Sequence, residues 1–178
     1  MFIDHHTTRK SLKLYASKPF VASAARVTRL LLKSYMTKTI NAEDLHIDLH
    51  PLNESALFKW LLASFVMGKR IQADIAAEAY RVIVEQHQRD TPRKLADCTH
   101  RELVRMLGQA HYVRYDETTA ERLLALAAKL NDEYAGRVMN MVEASADRQD
   151  FEKRLQAFDG IGPKTVEIFM REAGRVLF

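Results

Sequence analysis

Cysteine is almost absent: Cys98 stands alone in 178 residues. One thiol cannot close a disulfide within the chain, and it excludes a cysteine-ligated iron–sulfur cluster, which needs about four thiolates. Glycine and proline are scarce as well, six and four, and no stretch alternates Val, Ile or Thr with polar residues. A sheet-rich chain would need both the alternation and the turn residues, so strands are not expected. No apolar run reaches the length of a membrane span, and the first residues lack the pattern of a signal peptide. The expectation is a soluble protein of a reducing compartment, cytoplasmic or held with DNA in a nucleoid or nucleus. Charge of one sign is only mildly in excess: 27 Lys and Arg against 23 Asp and Glu give +4, and the pI is near 9.2. That balance is compatible with a polyanion partner.

What is present is apolar content at 47%, enough for a packed core, in segments that repeat with the helical period. The expected architecture is all-α, an orthogonal multi-helical bundle. Residues 1–52 read as an N-terminal helical segment packing on a core formed by 53–178. Within the first part a helix is expected over Val21–Met36, with Arg26, Arg29 and Lys33 along one edge. Asn41 to Pro51 reads as a linker or turn region. His5 and His6 are adjacent, share no helical face and lack a spaced third ligand, so they read as a solvated terminal segment.

Asn53 or Ser55 can cap a helix whose stretch Leu57-Phe58-Lys59-Trp60-Leu61-Leu62-Ala63-Ser64-Phe65-Val66 is apolar nearly all round. Such a helix belongs at the centre of a fold. It stops at Gly68, and Lys69-Arg70-Ile71-Gln72 forms a short polar and basic loop. A helix follows from Ala73 to about His87, then a short one led by Pro92. Thr99 caps another from His100 to Leu107, stopped at Gly108. The loop Gln109–Tyr115 carries His111, Tyr112, Arg114 and Tyr115. Interleaved aromatics and a cation suit base stacking, but a lid packed over the core is the favoured reading. A Leu/Ala helix spans Glu121–Asn131 and a shorter piece Val138–Ala144. Cys98 reads as an idle thiol, with no His placed to activate it.

The stretch with most chemical content is Asp159-Gly160-Ile161-Gly162-Pro163-Lys164-Thr165. A helix over Asp150–Phe158 precedes it, with Phe151, Leu155 and Phe158 on one face. A second follows, with Pro163 in its first turn and Val166, Phe169 and Met170 continuing the apolar stripe. Gly160 and Gly162 can take the positive φ a tight turn needs, and Ile161 is an apolar plug between them. Free N–H groups at the start of the second helix, beside Lys164 and Thr165, suit an anion such as phosphate.

Gly-Ile-Gly-Pro-Lys-Thr resembles the second half of a helix-hairpin-helix motif. The order of elements over roughly Leu57 to Gly174 resembles the endonuclease III-like superfamily of base-excision DNA glycosylases. The resemblance implies that Gly160, Ile161, Gly162, Lys164 and Thr165 grip phosphates of double-stranded DNA, damaged or abasic. It implies that the loop Lys69, Arg70, Gln72 serves the same interface, with Arg70 and Gln72 filling the gap left by an extruded base. Lys164 stands where bifunctional members carry a Schiff-base lysine, which implies a DNA glycosylase with AP lyase activity. Relatives also hold a monovalent cation on hairpin carbonyls, here those of Gln156, Phe158 and Ile161. The sequence ends at Phe178, ahead of the position of the family's catalytic aspartate. The alternative expectation is therefore a non-catalytic DNA-binding or scaffold protein that keeps only the hairpin.

Overall fold

The computed structural model describes residues 39–178. They belong to one compact unit, and every regular element among them is helical. The architecture is all-α, a multi-helical bundle. The expected helix Val21–Met36, its basic edge and His5-His6 lie outside the described residues.

Helix α1 (Glu54–Met67) is the axis of the bundle. The Asn53 side chain accepts the Ala56 N–H at 2.8 Å and starts it, satisfying one of the orphan donors of the first turn. From Ala56 to Val66 every side chain except Lys59 is buried. Trp60 is wholly enclosed, and its indole N–H donates to the carbonyl of Phe169 at 3.0 Å. An indole buried without that acceptor would be left with an uncompensated donor.

Helix α2 (Ala73–Tyr80) runs on into a wider π turn over Arg81–Gln86. Val82, Ile83 and Val84 are all buried there. Three successive inward side chains do not fit one face of a 3.6-residue helix, and the slower rotation of a π turn accommodates them. The short α3 (Pro92–Ala96) is capped by Thr91. Helix α4 (His100–Gln109) is started by Thr99 and Glu102 in a reciprocal capping box; it passes through Gly108 rather than stopping there.

Helix α5 (Asp116–Tyr134) is longer at both ends than its Leu/Ala centre suggested. The short α6 (Val138–Glu143) is held by α1: the Glu54 carboxylate accepts the N–H groups of Val138 and Met139. Helix α7 (Arg148–Gln156) begins at an Asp147 cap, and α8 (Pro163–Glu172) returns beside it. A last turn, α9 (Gly174–Leu177), closes the described chain.

Residues 41–51, expected to be a linker or turn region, do hold a 3-10 turn at Glu43–Leu45, but they also pack into the core. Leu45, Ile47 and Leu49 alternate into the core, along with Ile40 and Ala42. Glu172 on α8 accepts the Ala42 N–H at 3.0 Å, and Arg171 donates to the Ile40 carbonyl at 2.8 Å. The alternation is too short, and broken by too many polar residues, to stand out in the sequence, so it read as loop.

Candidate nucleic-acid interface

The turn between α7 and α8 is built as its glycines require, though only one of them supplies a left-handed conformation. Gly160 has φ +79°; Gly162 is extended at φ −98° and caps α8. Phe158 accepts the Ile161 N–H at 3.1 Å, closing the bend. Ile161 is buried at its centre with Phe151, Leu155 and Phe158, as a plug pinning the two helices. Pro163 occupies the first helical position. Among the described residues nothing accepts the N–H groups of Gly162, Lys164 or Thr165. Those amides lie at the positive end of a ten-residue helix, where Gly162 is half-buried, Lys164 exposed and Thr165 buried.

The two glycines differ in surroundings. A side chain at Gly162 would meet nothing within 4 Å, whereas one at Gly160 would meet Arg122 Cδ at 2.8 Å and Phe65 Cζ at 3.1 Å. One flank of the bend is therefore packed against α1 and α5, and the other is open.

Lysine and arginine side chains converge on the packed flank. Lys69 donates to the Gly160 carbonyl and lies 4.3 Å from the centre of the Phe65 ring. Burial lowers the pKa of its ammonium, Arg122 lowers it further, and Asp159 pulls it back up. Arg122 on α5 pairs with Asp159 at 3.2 Å. Two turns along the same helix, Lys129 donates to the Ala157 carbonyl at 2.9 Å and sits over the Phe158 ring. Two adjoining grooves share Lys69 and Arg122. One, about 480 Å³, runs along the bend from Gln156 to Gly162. The other, about 290 Å³, continues past Arg70, Thr118 and Tyr115.

The expected site residues separate in this arrangement. Gly160, Ile161, Gly162, Lys69 and Arg70 are brought together along the grooves, and Arg70 and Gln72 are exposed. Thr165 is buried as a whole residue, packed against Gly68 at the end of α1, so it takes no part in an anion site. The Lys164 ammonium is not in either groove. It pairs with Glu167 at 2.8 Å, and both side chains are about two-thirds exposed, at 63% and 67%. Trp60 and Tyr112 are wholly buried and line no cleft around that amine. Tyr112 donates to the Val66 carbonyl at 3.4 Å, so its loop packs as a lid, leaving Val113 and Tyr115 outside.

Of the three carbonyls expected to hold a monovalent cation, that of Phe158 already accepts the Ile161 N–H. The neighbouring carbonyls of Ala157 and Gly160 carry the ammonium groups of Lys129 and Lys69. The bend thus has positive charge on its carbonyls from the chain itself.

The chain matches no protein-family model, no curated protein and no solved structure.

Three residues central to the site were not singled out from the sequence: Arg122, Lys129 and Asp159. A signal existed for the first two. They lie seven apart on a helix whose other face is Leu and Ala, which places them on one stripe. That the stripe meets the α7–α8 bend is a tertiary fact without a local trace.

Proposed function

We propose that the protein binds the sugar–phosphate backbone of double-stranded nucleic acid along the α7–α8 bend. The observation that carries this reading is the unpartnered amide edge at Gly162 and Lys164, adjoining grooves lined by Lys69, Arg70 and Arg122. Unpartnered helix-start amides accept a phosphate oxygen directly, and flanking cations add the sequence-independent attraction that dominates backbone binding. The surrounding packing supports rigid presentation of that edge, because Ile161 and Phe158 are locked in the core.

Binding without glycosidic-bond cleavage is the better supported form of the reading. An imine-forming lysine needs its neutral amine, which ordinarily requires burial or a cationic neighbour. Lys164 has an exposed carboxylate partner instead. Borohydride treatment of the protein on an abasic-site duplex separates the two forms. Duplex binding without a covalent adduct is the expected result. An adduct that Lys164→Ala abolishes would establish the glycosylase and AP lyase chemistry in its place.

A further inference from the structure

Lys69, Arg122 and Asp159 form a charge cluster whose composition is out of keeping with a purely structural ion pair. Two cations stand close enough that Arg122 disfavours the charge on Lys69, and Lys69 is half-buried. Two like charges on a partly desolvated surface are stabilised by a nearby anion. In the free protein that anion is Asp159, bonded to Arg122 Nε at 3.2 Å. Yet Asp159 is a loosely held counterion. Its side chain is 68% exposed, it sits on the bend rather than in a helix, and it accepts one bond where a guanidinium offers a fork. Both grooves open onto the two cations, and the one along the bend includes Asp159 in its wall.

We propose that Lys69 and Arg122 form a phosphate seat occupied in the free protein by the Asp159 carboxylate, which a backbone phosphate of duplex nucleic acid displaces. This rests on the bend being the nucleic-acid surface, and it adds a second phosphate position beside the amide edge. A phosphate presents several anionic acceptor oxygens to Arg122 and Lys69 where the carboxylate uses one, so the exchange favours the ligand. Released Asp159 turns outward into solvent, where its charge repels any strand not seated on the two cations. The carboxylate therefore makes binding weaker and more selective for a correctly placed backbone.

The test is a fluorescence-anisotropy titration of an undamaged duplex with the wild-type protein, Asp159→Asn, Asp159→Glu, Arg122→Gln and the Arg122→Gln/Asp159→Asn double variant. Thermal unfolding of each protein serves as a fold control. Asp159→Asn is expected to tighten binding about twofold to fivefold, the span that loss of one competing exposed ion pair allows. Its salt dependence should steepen by about one phosphate contact. Asp159→Glu should stay near wild type. Arg122→Gln should weaken binding, and on that background Asp159→Asn should no longer tighten it beyond the general effect of removing one negative charge. Unchanged or weaker binding by a folded Asp159→Asn would overturn the displacement while leaving the bend as the binding surface. Absence of binding by wild type and Asp159→Asn alike at about 50 mM salt, where phosphate contacts are strong, would overturn both.

Discussion

Gly68 at the end of α1 lies directly against Thr165 at the start of α8, so close that a Cβ on the glycine would overlap the threonine Oγ1. That contact sets the bend on the central helix and brings Lys69, the next residue, to the Gly160 carbonyl. Gly68→Ala must push the two helix ends apart, at a cost of about 1–3 kcal/mol for an overpacked contact. Urea midpoints should fall accordingly, and Thr165→Ala on the same chain should return part of the loss. Equal loss in the single and double variants would show that the two residues do not share the contact.

The glycines of the bend should respond differently. Gly160→Ala combines a left-handed backbone with overlap on Arg122 and Phe65; the conformation alone costs about 1–2 kcal/mol. Gly162→Asp introduces a side chain into open space, so stability should stay within about 0.5 kcal/mol of wild type. Its carboxylate beside the amide edge should nevertheless lower duplex affinity. Thermal unfolding and anisotropy measured on both proteins distinguish the two roles.

Much of this was legible from sequence, and what was not has physical causes. The all-α class, the central helix through Trp60, the plug Ile161 and the inward faces of the α7 and α8 helices follow from helical spacing and from the lack of strand patterns. Asn53, Thr99 and Pro163 act where their chemistry places them. Thr165 did not: one turn of helix cannot reveal whether a hydroxyl meets a ligand or another helix, and Gly68 decides it. Lys164 lies in the first turn of α8, but the direction of its side chain, paired with Glu167, is not decided by the sequence alone. The core role of Ile47 and Leu49 was hidden because three alternating apolar residues amid His and Asp carry too little signal.

Strong base should unfold the protein through groups that are neutral only while buried. Burial pushes the Tyr112 phenol up to about 12, with Thr119 opposing and Tyr115 adding to the rise; burial also raises Cys98 and Tyr80. The unfolded chain ionises its tyrosines near 10, while folded Tyr112 stays neutral to about 12. The unfolded state thus holds fewer protons in that window, and stability fully present below pH about 10 declines as pH rises toward 12. The contribution from Tyr112 is on the order of 2–3 kcal/mol. Tyr112→Phe should flatten the decline of the urea midpoint between pH 9 and pH 11.5, values chosen roughly to bracket the ordinary phenol range. An unaltered slope would place the alkaline sensitivity elsewhere.

The Glu54 carboxylate joins the central helix to α6 through the Val138 and Met139 amides. Glu54→Ala leaves both without an acceptor and should cost about 1–2 kcal/mol, the range of a lost helix cap. Hydrogen exchange at those two amides should accelerate more than at the core of α1; uniform acceleration would instead mean that the carboxylate supports the whole fold.

The most direct test of the central claim is the salt dependence of duplex binding by the full chain. Two phosphate contacts at a slope of about −0.9 each predict an affinity loss of about twelvefold between 50 and 200 mM salt. Arg122→Gln should make the dependence shallower by about one contact. A duplex affinity that is undetectable at the lower salt, or that does not change across the range, would contradict the account.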